Sequence, residues 1–130
     1  MTTEQETDTA EEVVRRFCAT MSARDPDLLR PMLAGEVVYH NIPMEPSRGI
    51  DATVEALATL FVMFEQVRFE IVNLAVTGNT VLTERIDLLR TVQAEASLPV
   101  MGAFVVEAGR IVAWRDYFDV AQAGNLLNEK

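Results

Sequence analysis

The sequence predicts an α+β fold in which helices precede an antiparallel sheet. The first half of the chain carries apolar residues at helical spacing, whereas from residue 67 onward apolar residues alternate with polar ones. Turn sequences that contain glycine, at 78–79 and 108–109, divide the second half into strands. Helices that come before a run of strands are typical of α+β domains, in which one face of the sheet is buried against the helices.

Capping residues mark where the helices begin. Thr9 and Glu12 have the spacing of a capping box, which starts a helix that we expect to run to about Arg24. Asp25 followed by Pro26 predicts a second, short helix, because proline suits the first helical position. A third helix is predicted by apolar residues at helical spacing, namely Ile50, Val54, Leu57, Phe61 and Phe64.

Strands account for most of the remaining chain. An early strand is predicted over 36–41, and a loop with two prolines and a glycine follows it over 42–49. Alternating patterns predict four further strands, and the last residues predict a short helix. The strands cover 67–77, 80–91, 97–107 and 110–118, and the helix covers 120–127.

The length of 130 residues is suited to one domain with a single core. The first eight residues include Glu4, Glu6 and Asp8 and have no basic residue among them. We therefore expect residues 1–8 to form a flexible acidic tail and residues 9–130 to form the domain.

The composition argues against several classes of protein. A net charge of −9 without any basic stripe gives no reason to bind nucleic acid. We find no signal-peptide pattern and no apolar run near the about 20 residues of a membrane helix, so we expect a cytoplasmic protein without membrane contact. Cys18 and His40 are the only cysteine and histidine, which argues against a disulfide, a catalytic thiol and a transition-metal site. We expect no metal and no cofactor.

Arg85 and Asp87 lie two residues apart on the strand predicted over 80–91, on one face with Thr83 and Leu89. The other face of this strand is mostly apolar, so the pattern alone leaves open which face is buried. Taken by itself, such an Arg–Asp pair is more often a solvated charged face than a functional site.

Asp116 changes that interpretation, because large aromatic residues stand on both sides of it on the same strand face. Trp114 and Phe118 are its neighbours at positions i−2 and i+2, which predicts that the carboxylate is buried. A buried carboxylate needs a cation or several hydrogen-bond donors. An Arg–Asp pair that only fixes the strand register remains an alternative.

Tyr39 and Asn41 form a third polar pair on one strand face, and together they offer a hydroxyl and an amide able to hold a water molecule. The structural alternative is a core tyrosine followed by a turn residue before Pro43. Large apolar side chains are candidates for a pocket lining, although each alone is more often a core residue; these are Trp114, Phe118, Met44, Met32 and Met101.

Three segments together resemble the limonene-1,2-epoxide hydrolase family: Tyr39-His40-Asn41, Leu82-Thr83-Glu84-Arg85-Ile86-Asp87 and Trp114-Arg115-Asp116-Tyr117-Phe118-Asp119. The resemblance covers nearly the whole chain in order and spacing. The last segment also occurs elsewhere in the broader superfamily that resembles nuclear transport factor 2 (NTF2), so the combination is the specific signal. The loop after Asn41 and the short C-terminus differ from the family pattern, which affects substrate identity more than reaction type.

The resemblance implies an NTF2-like catalytic domain with a cone-shaped, strongly curved mixed sheet, helices in its concavity and a homodimer formed through the sheet. It implies that a small apolar epoxide, such as a limonene-oxide-like or cycloalkene epoxide, is hydrated to a vicinal diol without a covalent intermediate. Asp116, Tyr39 and Asn41 would hold the water, with Asp116 as base. Asp87 would protonate the epoxide oxygen, and Arg85 would orient both carboxylates.

Two other functions remain open from the sequence. A steroid isomerase or polyketide cyclase would use an aspartate to abstract a proton from carbon, but that chemistry does not need a cation between two carboxylates, so Arg85 argues against it. A ligand-binding or dimerisation module would use the charged cluster only for structure.

Overall fold

The computed structural model describes residues 8–122. The predicted acidic tail therefore lies outside the described residues except for Asp8. Of the closing helix predicted over 120–127, only residues 120–122 are described, and they are helical. Within residues 8–122, no helix is both long enough and apolar enough to cross a lipid bilayer.

Between residues 8 and 65, three α-helices form as the sequence predicts, with one difference at the end of the first. The predicted capping box is present, since Thr9 accepts a hydrogen bond from the Glu12 amide and Glu12 accepts one from the Thr9 amide. The first helix gives way to a 3₁₀ turn before Arg24, whose left-handed backbone (φ 54°) ends the segment. The helices are α1 (Ala10–Thr20), α2 (Pro26–Leu29) and α3 (Ile50–Met63).

Between residues 8 and 122, six strands form one mixed sheet in the order β2-β1-β6-β5-β4-β3. The pairing of β1 with β6 is parallel and all other pairings are antiparallel. The sheet is curved but does not close into a barrel, because its edge strands β2 and β3 do not pair with each other. The strands are β1 (Leu33–Asn41), β2 (Ser47–Arg48), β3 (Gln66–Thr77), β4 (Thr80–Arg90), β5 (Glu95–Glu107) and β6 (Arg110–Tyr117).

Most strand bounds agree with the alternating patterns to within a residue or two. β5 begins at Glu95 rather than at residue 97, because Thr91 closes the preceding link into a tight turn. Its hydroxyl accepts hydrogen bonds from the Gln93 and Ala94 amides at 3.2 and 2.9 Å. β1 begins at Leu33, earlier than the predicted residue 36, and its ladder with β6 shifts register between Leu33 and Val38. Such irregularities increase the local bend of a strand.

The core lies between the concave face of the sheet and the helices. α1 contacts β3, β4, β5 and β6, and α3 contacts β1 and β2. On β4 the structure decides which face is buried, since Thr83 and Arg85 are fully buried on the helix side while Leu82 is 42% exposed on the outer side. The charged face of this strand is therefore the inner one.

Candidate active site

Strand pairing brings residues from four strands into one row across the concave face. Asn41 of β1 pairs with Asp116 of β6, Asp116 pairs with Gly102 of β5, and Gly102 pairs with Thr83 of β4. Arg85 is the next residue on the same face of β4. Because β1 and β6 are neighbours in the sheet, Asn41 and Asp116 meet in this row although they are far apart along the chain.

A single guanidinium bridges two carboxylates above this row. Arg85 donates to Asp87 through Nε (3.0 Å to Oδ1) and Nη2 (2.8 Å to Oδ2). It donates to Asp116 through Nη1 (3.1 Å to Oδ1) and Nη2 (2.9 Å to Oδ2). Nη1 also donates to the Thr83 hydroxyl at 3.3 Å. Bidentate contacts of this kind fix orientation as well as charge.

All three charged side chains are buried, Arg85 completely and Asp87 and Asp116 to within 5% and 3% exposure. The guanidinium carbon of Arg85 also lies 4.3 Å from the centre of the Phe69 ring, a cation–π contact. Burial by itself lowers the pKa of Arg85, but the two carboxylates outweigh it and hold that pKa well above its usual value. Arg85 therefore stays charged throughout.

Asp87 is the carboxylate whose proton affinity is most clearly changed. Burial raises the pKa of Asp87 to about 6, with hydrogen bonds and charge from Arg85 acting in the opposite direction and Asp116 adding to the rise. The raised pKa means that this group gains a proton much closer to neutrality than an ordinary aspartate does.

Asp116 has a donor that Asp87 lacks. The indole Nε1 of Trp114 donates to Asp116 Oδ1 at 2.9 Å, in addition to the two arginine contacts. Asp116 thus accepts three hydrogen bonds, two of which come from a charged donor. The environments of the two acids therefore differ, as general acid–base catalysis requires of a pair with opposite roles.

Tyr39 and Asn41 stand beside Asp116 on the adjacent strand β1. The Tyr39 ring stacks on Trp114 with ring centres 4.0 Å apart and an angle of 21° between the planes. Burial and the negative charge of Asp116 raise the pKa of Tyr39, so its hydroxyl keeps its proton at neutral pH. A phenol and an amide are thus held next to a buried carboxylate.

A cavity of about 280 Å³ opens over the two carboxylates. Its floor is polar and its walls are mostly apolar, with α3 on one side and β3, β4 and β5 on the other. This composition suits a small, largely apolar ligand that meets a few polar groups at one end. The lining residues are Tyr39, Asn41, Met44, Ala56, Thr59, Leu60, Met63, Phe64, Phe69, Asp87, Leu89, Leu98, Val100, Asp116 and Phe118.

Of the five residues given catalytic roles by the resemblance, four line this cavity: Tyr39, Asn41, Asp87 and Asp116. Arg85 lies beneath the floor, fully buried and outside the lining, so it acts on the cavity through the two carboxylates that it bridges.

The residues expected to line a pocket divide into two groups. Phe118 and Met44 are in the cavity wall. Trp114 lies behind Asp116 with no exposure, and Met32 packs against the hydrophobic core, so neither reaches the cavity. Met101 is 54% exposed on the outer face of β5, because side chains alternate along a strand and the adjacent Val100, like Leu98, points inward.

Several lining residues went unrecognised in the sequence although a signal was present. Ala56, Leu60 and Met63 recur at i, i+4 and i+7 and so share one face of α3. Gly102 does not line the cavity, but its place inside a strand was also a signal in the sequence, because a glycine there often marks a close approach by another group.

Two other expectations concern Cys18 and metals. Cys18 is buried on α1, and burial raises the pKa of its thiol to about 12. The nearby charges have smaller effects: Arg85 lowers this pKa, whereas Asp116 and Asp87 raise it. A protonated, enclosed thiol is a poor nucleophile. Among the described residues, no cluster of three or more histidine, cysteine, aspartate or glutamate side chains has the geometry to hold a metal ion.

Comparison with known proteins identifies the family. Residues 8–127 match the family described as limonene-1,2-epoxide hydrolase catalytic domain. The chain is 35% identical over 109 residues to epoxide hydrolase EphG of Mycobacterium tuberculosis, covering 82% of this chain and 71% of that protein. It is 34% identical to a solved M. tuberculosis LEH-like epoxide hydrolase, with a TM-score of 0.77 over 91% of this chain and 88% of that one.

Solved structures of low identity support the fold alone. A protein of ketosteroid isomerase-like fold from Catenulispora acidiphila has a TM-score of 0.79 at 19% identity, covering 90% of this chain and 95% of that one. An NTF2-like protein from Burkholderia pseudomallei has a TM-score of 0.84 at 18% identity, covering 95% and 100%. The expected NTF2-like fold is therefore confirmed, and the chain belongs to the limonene-1,2-epoxide hydrolase family.

Proposed function

We propose that this protein hydrolyses a small apolar epoxide to a vicinal diol. The observation that carries the proposal is the pair Asp87 and Asp116, joined by one buried guanidinium at the polar floor of an apolar cavity. Family membership supports it, and the M. tuberculosis relatives bear the name epoxide hydrolase. Hydration of an epoxide needs a base for the water and an acid for the leaving oxygen, and the floor offers two carboxylates in different environments.

In the proposed reaction, Asp116 is the base. A water molecule held by Asp116, Tyr39 and Asn41 attacks one epoxide carbon through its oxygen, and Asp116 takes a proton from that water. These three side chains line the same part of the cavity on adjacent strands. The three donors on Asp116 hold its carboxylate in a fixed orientation beside the proposed position of the water.

Asp87 is the acid in this scheme. As the carbon–oxygen bond of the epoxide breaks, Asp87 gives its proton to the departing oxygen, so the product is a diol and no enzyme ester forms. The raised pKa of Asp87, about 6, supports this role because the group then holds a proton at mildly acidic pH. The proton taken by Asp116 must return to Asp87 before the next turnover. Each proton transfer typically contributes about 10²–10⁴-fold to rate.

We further propose that the substrate is uncharged and of the size of a cyclic alkene oxide or limonene oxide. The cavity, at about 280 Å³, is at the small end of the usual range for ligand sites. Apolar side chains make up most of its wall, and the buried cation beneath it is already paired with two carboxylates. An anionic substrate would meet these carboxylates without a compensating charge.

A homodimer formed through the outer face of the sheet is also proposed. Large apolar side chains are exposed there on adjacent strands, including Leu82 (42%), Met101 (54%) and Tyr117 (47%). Glu84 and Arg115 lie on the same face and carry opposite charges, and the proposal includes their pairing across a two-fold axis. An apolar patch of this kind favours association. The cytoplasmic location stays a prediction from the sequence.

The proposal is tested by incubating the protein with limonene oxide and cyclohexene oxide in H₂¹⁸O, with enzyme in excess for a single turnover. We expect diol that carries one ¹⁸O, because the attacking oxygen comes from water. Diol without ¹⁸O in the first turnover would point to attack by a carboxylate and overturn the one-step scheme. Absence of diol from every epoxide, accompanied by exchange of a ketone's α-protons, would favour the isomerase alternative.

Matched variants distinguish the loss of a catalytic carboxylate from the general effect of an Asp→Asn substitution. Asp87→Asn and Asp116→Asn each keep the side-chain shape and remove the titrating group, so we expect each to lower kcat by about 100-fold or more. Asp51→Asn is the control, since its side chain is 92% exposed and its partner is Arg30, away from the cavity. Equal activity in all three variants would contradict the assigned roles.

A further inference from the structure

We propose that Gly102 is a positioning residue of the catalytic centre, and that the absence of a side chain there lets Arg85 reach across β5 to Asp116. The inference rests on the proposed function for its kinetic consequences, whereas its structural part stands on contacts alone. It concerns a residue that does not line the cavity described above and that carries no functional group.

Arg85 has to reach across β5 because of the order of the strands in the sheet. Arg85 is on β4 and Asp116 is on β6, with β5 between them. Neighbouring strands are about 4.8 Å apart, so two strand spacings separate the backbones of the ion pair. The guanidinium must therefore lie directly over β5. Gly102 is the residue of β5 that pairs with Asp116 on one side and with Thr83 on the other.

The space above Gly102 is already filled by the ion pair. A Cβ atom at this position would lie 2.8 Å from Asp116 Oδ1 and 2.8 Å from Thr83 Oγ1, and Arg85 Nη1 would be closer still. Ordinary van der Waals contacts of a Cβ atom are 3.4–4 Å. None of the three atoms is the free end of a mobile chain, since each is buried and hydrogen-bonded to another.

The backbone gives no other reason for glycine at this position. Gly49, Gly78 and Gly109 have positive φ angles, which explains glycine there, but Gly102 is not among the residues with positive φ. It lies in the interior of β5, where glycine generally weakens a strand. The close approach of the guanidinium is what distinguishes this position.

A methyl group at position 102 would therefore displace Arg85 from Asp116 while leaving its bidentate contact with Asp87 on the far side. Asp116 would keep the Trp114 donor but lose arginine donors, and Thr83 would lose its contact with Nη1. The cation would then no longer be shared between the two acids. We expect the pH dependence of the reaction to change together with the rate.

Gly102→Ala tests this inference, with Gly35→Ala as the matched control. Gly35 is also in a strand, β1, and a Cβ built there meets nothing within 4 Å. We expect Gly102→Ala to lower kcat by about 100-fold with little change in KM, and to shift the pH profile of kcat. Gly35→Ala should match the wild type in all three. Gly102→Ala activity within twofold of wild type would overturn the proposal.

A second variant covers the case in which Gly102→Ala folds poorly. Thr83→Ala removes one of the three atoms that obstruct the new methyl group, so Thr83→Ala/Gly102→Ala should recover about tenfold in kcat over Gly102→Ala, or recover soluble protein. An additive loss in the double variant, relative to the two single variants, would show a general packing effect and contradict a steric cause.

The NMR signal of the Arg85 Nη1–H group, which donates to Asp116 and to Thr83, provides a readout that is independent of turnover. We expect this signal to shift in Gly102→Ala and not in Gly35→Ala, because only the first disturbs the bridge between Asp87 and Asp116. An unchanged signal and pH profile in a less active Gly102→Ala would overturn the positioning role. If the wild type turns over no epoxide, the proposed function fails while the NMR comparison still decides the role of Gly102.

Discussion

The indole nitrogen of Trp114 donates a 2.9 Å hydrogen bond to Asp116, two residues further along the same strand face. The same indole is stacked under the ring of Tyr39 at 4.0 Å and is itself completely buried. One core side chain thus contacts both Asp116 and Tyr39, two of the three groups that we propose to hold the attacking water. A residue expected in the pocket wall is found behind it.

Replacing Trp114 with phenylalanine should lower kcat by about tenfold and destabilise the fold by about 1–3 kcal/mol, since a buried acceptor loses its neutral donor while the ring remains. Steady-state kinetics and urea unfolding measure the two effects. Phe17→Leu is the control, because Phe17 packs edge-on against Trp114 at 5.0 Å and has no polar group that could bond to a carboxylate. It should lose stability and keep kcat; equal losses of kcat would remove the special role of the indole donor.

The pH dependence of activity follows from Asp87. Its pKa in the folded protein is about 6, and the proposed reaction needs the protonated form, so kcat/KM should be high below about pH 6 and fall about tenfold per unit above it. The rate without enzyme must be subtracted at each pH, since acid opens epoxides in solution. A profile that rises through pH 6 would assign Asp87 the role of base instead.

The free energy of unfolding should also depend on pH through Asp87. Asp87 has a folded pKa of about 6 against an ordinary value of 3.8, so the folded state binds more protons than the unfolded state between these values. The free energy of unfolding contributed by Asp87 is therefore greatest below about pH 4 and falls, by up to about 3 kcal/mol, as the pH rises through 6. Urea titrations of wild type and Asp87→Asn across this range should differ by that slope, and parallel curves would disagree with it.

Two methionines of similar exposure provide a test of the cavity wall. Met44 is 43% exposed and lines the cavity, whereas Met101 is 54% exposed on the outer face of the sheet. Met44→Ala should change KM for limonene oxide by about threefold to tenfold, because one large apolar contact is lost. Met101→Ala should leave KM and kcat unchanged at a protein concentration where the oligomeric state is constant.

A charged substitution on the outer face of the sheet tests whether this face mediates self-association. Met101→Arg places a cation among exposed apolar side chains of the sheet, so we expect a shift from dimer to monomer in sedimentation velocity. Val62→Arg is the control, since Val62 is an exposed apolar residue (85%) on α3, away from that face. Dissociation by both variants, or a wild type that is monomeric, would contradict a dimer formed through the sheet.

The local features of the fold were readable from the sequence because they depend on nearby residues. The Thr9–Glu12 capping box needs only three residues of spacing, and the alternation of Trp114 with Asp116 fixes which side chains share a strand face. The α+β class follows from the same patterns. Periodicity does not say which strands are neighbours, so nothing local placed β1 beside β6 or Asn41 beside Asp116.

The sequence by itself therefore determined the kinds of elements, their approximate bounds and the grouping of polar residues into three short segments that resemble one family. Only the tertiary structure decided that the charged face of β4 is buried, that Arg85 lies beneath the cavity floor and that Met101 points away from it. It also gave Gly102 its place under the guanidinium. The physical reason is that burial and contact across a sheet depend on strand order and curvature, which bring together side chains that are distant along the chain.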